Sequence, residues 1–317
     1  MKIESINNVL KIEYENEPYT LEDLKLIESF LKIIKMNNIK FNEPIYKNIV
    51  DINKSIDYSL SFIETIDPKY REVLMYVLSE KLIEFKQTNY DSLSKLVMND
   101  GKKMINFEVT NTIEDSYTFT HEGFHYINMD SSRITSNWWL ITETISMVAE
   151  ALQKKYFDKK NMNIPEYKYN EINNYFGVLE KATIIDFEIE LLKEYTINKK
   201  ITFDFMHSLL KDKDDNYIYL ACTDLEDMLK TGYMNYSMLQ KYIISAVLST
   251  RLLNRIKKDN SYKSFIELND NCNDMTFVDS LKYLGLLLKD EKKIILSDDS
   301  LNELNREYFE RVLTLKK

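Results

Sequence analysis

The sequence predicts a mainly α-helical protein with one small β element, and three observations carry that expectation. Gly and Pro are scarce, five and four in 317 residues, so turns are few and long elements are favoured. Leu, Ile, Lys, Glu and Met are abundant, a bias towards helix. Apolar residues recur at helical spacing along most of the chain, whereas one short segment, 103–110, alternates instead.

Residues 1–19 are expected to open with a short strand or hairpin around Val9–Tyr14. Thr20 and Asp23 have the spacing of a capping box, and Leu21, Leu24, Ile27, Phe30 and Ile34 follow at helical intervals. Pro44 and Pro68 each suit a first helical turn, which predicts helices near 44–66 and 68–87. A further helix is expected near 90–99, ending before Gly101. The segment KMINFEVT, 103–110, sets apolar Met104, Ile105, Phe107 and Val109 among polar neighbours and reads as a strand. Helical periodicity resumes from about Ile113, and a loop at 129–136 leads to a strongly apolar helix over 137–157. Pro165 opens a long helix to about 196. The stretch 198–233 reads as less regular, with a turn-like KDKDDN at 211–216, and helices are expected at 234–257, 275–289 and 298–314. No repeat or linker divides the chain. It is read as a single domain, 1–317, with an N-terminal helical subregion over 1–100 and the chemistry-bearing region over 101–317.

With 44% hydrophobic residues the chain can bury a large core. The net charge of -9 argues against a nucleic-acid partner and against docking on an anionic membrane. Cys222 and Cys272 match no CxxC pattern, and two thiols suit a reducing compartment, with a single disulfide left open. The N-terminus has no apolar h-region and no stretch approaches a membrane span, so a cytoplasmic location is expected. The oligomeric state is not legible.

Residues 121–125 read H-E-G-F-H. On a helix, His121 and His125 leave the same face one turn apart, so two imidazole nitrogens can bind one Zn²⁺ at about 2.0–2.1 Å. Glu122 lies one position along, beside the metal, where its carboxylate can take a proton from a zinc-bound water. A third ligand is needed, and Glu143 is the candidate. Residues 126–142 provide the end of one helix, a loop and the first turn of the next, a His₂Glu set. Glu150, two turns further on, can accept a hydrogen bond from a ligand imidazole. Glu143 and Glu150 interrupt the apolar run NWWLITETISMVAEAL, and carboxylates buried in such a helix need partners that one metal ion per chain would supply.

The run from Met104 to Tyr126, MINFEVTNTIEDSYTFTHEGFHY, resembles the active-site segment of the oligopeptidase F and thimet oligopeptidase family of zinc peptidases. Thr112, Ile113, Glu114, Asp115, Thr118 and Phe119 fall in step with that family's approach to its motif. The run ITETISMVAEA, 141–151, resembles its A-E-x-A-S-x-x-N-E helix. The resemblance implies a mainly α-helical gluzincin fold. It also implies an edge strand near 103–109 beside the motif helix, whose free edge, at Asn106, Phe107 and Glu108, would pair with a peptide substrate. A further family element, an aromatic-rich helix supplying tyrosine hydroxyls to the oxyanion, is best matched by GYMNYSMLQKYIISA, 232–246, with Tyr242 and Tyr236 as candidates. This chain departs from the family in placing Gly123 next to Glu122 and not next to the second His, in a shorter gap from His125 to Glu143, and in having no His within 232–246. His207 is read as a partly buried structural residue. The chain is also about half the family's usual length.

The activity implied is a zinc-dependent metallopeptidase acting on short or flexible peptides. Two alternatives stand beside it: a processing peptidase dedicated to one precursor, and a non-catalytic peptide-binding protein that retains the fold.

Overall fold

The computed structural model describes residues 3–16, 21, 24–37, 49–87, 94–99, 101–129, 138–160 and 166–315. Thirteen helices and five short strands lie among them, and the chain is mainly α, as its composition predicts. Two compact units are distinguished: Met1–Ile39, Tyr175–Val247 and Leu287–Phe309 form unit 1, and Lys40–Asn174, Leu248–Leu286 and Glu310–Lys317 form unit 2.

Unit 1 begins with helix α1, Ile3–Asn16, where the sequence predicts a strand around Val9–Tyr14. Ile6, Val9 and Leu10 are buried, three and four positions apart on one helical face, and that spacing outweighs the local alternation of Val9–Tyr14. The Asn7 side chain accepts from the Ile201 amide at 2.7 Å and donates to the Ile201 carbonyl at 3.0 Å. Helix α2, Leu24–Met36, buries Leu24, Ile27, Phe30 and Ile34 as their spacing predicts, and Leu31 and Ile33 besides, whereas Leu21, at the head of the expected run, precedes the helix and is exposed. The expected capping box at Thr20 and Asp23 lies outside the described residues. The expected irregular stretch 198–233 contains two helices, α8, Phe203–Leu210, and α9, Asp215–Thr231. Their N-caps are Thr202 and Asp214, whose side chains accept from the amides of Phe205 and Tyr217. Asp214 belongs to the acidic KDKDDN, so the turn between the helices also starts the second. Gly232, at φ 79°, closes α9 in the left-handed conformation.

Unit 2 carries the motif. Helix α3, Ile52–Ile66, and helix α4, Pro68–Ser79, are capped by Asp51 and Asp67. The sequence predicts helix to residue 87 and again over 90–99, but the chain forms strands β1, Ile83–Gln87, and β2, Lys95–Asn99. Lys81, at φ 55°, stops α4, and Ile83 and Phe85 then alternate with Glu84 and Lys86. Strand β3, Lys102–Val109, forms where it is expected. It is not an edge strand: it lies between β1, which it meets in parallel with Phe85 opposite Phe107, and β2, antiparallel with Leu96 opposite Ile105. The edge expectation fails because both flanking segments, read as helices, are strands that pair with β3.

The buried side of β3, Ile105, Phe107 and Val109, packs against helix α5, Glu114–Asn128. Two polar ties lock strand to helix. The buried Asp115 carboxylate accepts from the amides of Thr110 and Asn111, both at 2.9 Å, and from the Thr110 hydroxyl at 2.7 Å. At the other end, Lys103 Nζ donates to the carbonyls of Tyr126 at 2.6 Å and Met129 at 2.9 Å, completing the C-terminal turn. Helix α6, Trp138–Lys159, packs along α5, and α3 and α4 cover α5 elsewhere. Phe124 sits edge-on to both Tyr70 (5.6 Å) and Phe265 (5.2 Å), the latter on helix α11, Lys263–Asn271.

Candidate metal centre

His121 and His125 project from α5 one turn apart, with their Nε2 atoms 3.0 Å from each other. From α6, Glu143 presents Oε1 at 3.4 Å from His121 Nε2 and Oε2 at 3.5 Å from His125 Nε2. Each residue offers a ligand atom within 4.8 Å of the others, and among the described residues no other His, Cys, Asp and Glu group converges in this way. A tetrahedral zinc with bonds of about 2.0–2.2 Å holds its ligand atoms about 3.3–3.6 Å apart, so the three side chains fit such an ion with little adjustment. The donor set, two imidazoles and a carboxylate, is that of a catalytic zinc with one position open. Glu143 is 1% exposed while 17% of the His121 side chain is accessible, so the group is buried without being sealed.

The electrostatics run the same way. Burial pulls the His121 imidazole down, but Glu143, then Glu150, outweigh it and hold the group well above its ordinary value. Burial pushes the Glu143 carboxyl up, but His121 and His125 outweigh it and hold it well below the usual carboxylate range. The Glu143 carboxylate thus faces both imidazoles from one side, as the carboxylate of a shared metal site does.

Glu150 stands where the helical spacing puts it, its Oε1 2.5 Å from His121 Nδ1. Glu122 is buried on α5 beside the ligand pair. Three contacts around the ligands are not anticipated by the sequence. Trp139 faces the His125 ring at 6.2 Å, edge to face; it lies one turn before Glu143, and that spacing is the signal that could have found it. Ser146 Oγ donates to the His121 carbonyl at 3.1 Å, and Lys103 holds the end of the motif helix. The displaced glycine of the motif also has a packing role: a Cβ at Gly123 would come within 2.9 Å of Leu74 Cδ1, so the Leu74 side chain of α4 would have to shift for any larger residue.

Other candidates fall elsewhere. Phe107 is fully buried, ring to ring with Phe85 and Phe119, while Asn106 and Glu108 lie on the half-buried side of β3. Asn106 is paired on both sides, opposite Glu84 and Lys95, and the Glu108 amide donates to Ser94 Oγ. Helix α10, Tyr236–Asp259, carries the tyrosines within the unit 1 part of the chain. Tyr242 is half-buried, with Lys241 and Lys181 Nζ over its ring at 4.7 and 5.0 Å; the Tyr236 side chain lies outside the described ones. His207, expected to be partly buried, is exposed in the last turn of α8. Cys222 and Cys272 are free thiols. No helix among the described residues is long and apolar enough to cross a membrane.

The chain is mainly helical with a small sheet and carries a His-His-Glu group on two packed helices. Two solved structures share the fold. One is a protein of Chlamydophila abortus assigned as a peptidase, at TM-score 0.59 and 14% identity over 99% of this chain and 56% of that one. The other is a protein of Bacillus anthracis assigned as an oligoendopeptidase F, at TM-score 0.58 and 10% identity over 100% of this chain and 58% of that one. At these identities the likeness is one of fold, and the chain spans a little over half the length of each. No protein-family model and no curated protein matches the chain.

Proposed function

We propose that this chain is a zinc-dependent metallopeptidase that hydrolyses peptide bonds in short or flexible peptides. The observation that carries the reading is the convergence of His121, His125 and Glu143 with a buried Glu122 at the next helical position. The fold shared with two proteins assigned as peptidases supports it.

In this reading the two histidines and Glu143 hold one zinc ion. When bound, the ion supplies a Lewis acid for the scissile carbonyl and lowers the pKa of water. Glu122 takes the proton of the attacking water and returns it to the leaving amine. Glu150 holds the His121 ring so that Nε2, and not Nδ1, faces the ligand group. Tyr242 and Tyr236 are the residues proposed to donate to the oxyanion. Of the candidate substrate residues Asn106, Phe107 and Glu108, Phe107 is fully buried and is set aside, and Asn106 and Glu108 are proposed in a narrower sense. With β3 interior, a peptide strand adding to this sheet meets the outer edge of β1 or β2, and Asn106 and Glu108 contribute through their side chains.

Zinc content and digestion of a mixture of synthetic peptides, read by mass spectrometry, test this. The wild type is expected to carry one equivalent of zinc and cleave many peptides. Glu122→Gln should keep the zinc and lose about 10²–10⁴-fold in turnover, the usual contribution of a general base. Full turnover in that variant would overturn the mechanism. Cleavage of a single precursor alone would favour a processing peptidase, and full zinc with no cleavage a peptide-binding protein.

A further inference from the structure

A histidine that ligates through one ring nitrogen needs the other nitrogen held, because an unmet N–H in a buried site is unfavourable and leaves the ring free to turn. In this centre the Nε2 atoms of both histidines face Glu143, so Nδ1 is the outward nitrogen on each. The two Nδ1 atoms have unlike surroundings. That of His121 meets Glu150 at 2.5 Å. That of His125 is buried and has no hydrogen-bond partner among the described residues.

One turn on, Asn128 is 1% exposed, and neither its Oδ1 nor its Nδ2 has a partner among the described residues. A buried amide with both ends unmet is rare in a folded protein and calls for an explanation. Helical side chains lean towards the N-terminus, so Asn128, three positions after His125 on α5, is directed back towards the turn that carries it. Two unmet groups, one a donor when Nε2 is ligating and the other able to accept, thus lie three positions apart on one helix.

Resting on the zinc reading above, we infer that Asn128 is the positioning residue for His125. Its Oδ1 accepts from His125 Nδ1–H, directly or through a single buried water, when the metal centre is formed. The two ligands are then held differently: His121 by an anionic carboxylate from α6, His125 by a neutral amide from its own helix. A neutral partner at the second position limits the negative charge gathered around the ion, where Glu122, Glu143 and Glu150 already contribute three carboxylates.

The test is made on the full-length protein with Asn128→Leu and Asn128→Asp. Zinc affinity is measured by competition with a chelator of known affinity, ligand geometry by the visible spectrum of the cobalt-substituted protein, and metal-free stability by thermal unfolding. Asn128→Leu is expected to weaken zinc binding about 10–100-fold and alter the cobalt spectrum. Its metal-free melting temperature should be unchanged or higher, because unmet polar atoms have been removed. Asn128→Asp restores an acceptor and should recover affinity to within a few-fold. Unchanged affinity in the leucine variant would overturn the assignment. A parallel fall in affinity and metal-free stability would do the same, since it marks a purely structural residue. If Asn128→Leu does not fold, Asn128→Asp decides alone: a spectrum unlike the wild type overturns the inference. Absence of zinc binding in the wild type instead removes the underlying reading, a failure distinct from these.

Discussion

The Nδ1 of His121 lies 2.5 Å from Oε1 of Glu150, so an imidazole carried by α5 is held by a carboxylate two turns beyond Glu143 on α6. One helix thereby supplies both a candidate ligand and the group that orients another. Glu150→Gln keeps the shape and loses the charge. Zinc affinity is expected to fall about 10–100-fold, as for other carboxylates behind a ligating histidine, and chelator competition measures it. Affinity within twofold of wild type would mean that the contact merely packs.

Proton release on metal uptake is the second prediction. Glu143 and Glu150 together hold His121 protonated well above its ordinary range in the metal-free protein, against the opposing effect of burial. A ligating imidazole must shed that proton, so zinc binds more tightly as pH rises and more weakly as it falls. With one proton displaced, the apparent affinity should change by about tenfold per pH unit while His121 stays protonated in the metal-free state. Titration calorimetry in buffers of different ionisation enthalpy reads the proton directly. A pH-independent affinity between pH 6 and 8 would contradict the charged His121.

Gly123 lets α5 approach α4, and an added Cβ would stand 2.9 Å from Leu74 Cδ1 in a fully buried contact. Alanine favours a helix interior over glycine by about 1 kcal/mol, so two effects compete in Gly123→Ala. Overpacking of a dense core costs about 1–3 kcal/mol, and the clash should win, with a net loss near 1 kcal/mol on denaturant unfolding. In a Leu74→Ala background the same change should become neutral or stabilising, because the clashing methyl is gone. Equal effects in both backgrounds would remove the packing explanation of this glycine.

In unit 1, Asn235 is held just before α10 by three carboxylates. Its amide donates to Glu188 at 2.7 Å, and its side chain donates to Asp224 at 2.8 Å and Asp227 at 3.3 Å. Burial chiefly, then Asp227 against the Asn235 hydrogen bond, pushes the Asp224 carboxyl up to about 6. A raised carboxyl binds its proton more tightly in the folded state, so its contribution to stability is present at low pH and is lost as pH rises from about 4 to about 6. Asp224→Asn keeps an acceptor for Asn235 without the charge. It should stabilise the protein by up to about 3 kcal/mol at pH 8, at about 1.4 kcal/mol per pKa unit, and have little effect at pH 4. Thermal unfolding at both values checks the sign, and equal shifts at the two would refute it.

Much of this molecule is written locally. The scarcity of Gly and Pro and the recurring apolar spacing determine a helical protein, because each helical hydrogen bond joins residues only four apart. The same locality makes His121 and His125 neighbours on α5, and the acids of the next apolar helix, Glu143 and Glu150, stand where that spacing aims them. Where long-range pairing competes with local pattern, the sequence misleads. Residues 83–87 and 95–99 read as helix, yet their backbone groups pair with β3, the first 22 positions away and the second across a hairpin at 3 to 11, which turns an expected edge strand into a central one. Val9–Tyr14 alternates enough to pass for a strand until burial of Ile6, Val9 and Leu10 on one side selects the helix. The packing reason for Gly123, set by Leu74, and the unmet amide of Asn128 exist only once α4, α5 and α6 are packed together. The sequence thus determined which residues can ligate and on which helices they stand. Tertiary structure decided which backbone edges are already taken and which buried groups are left to hold one another, because strand pairing and burial depend on residues far apart in the chain.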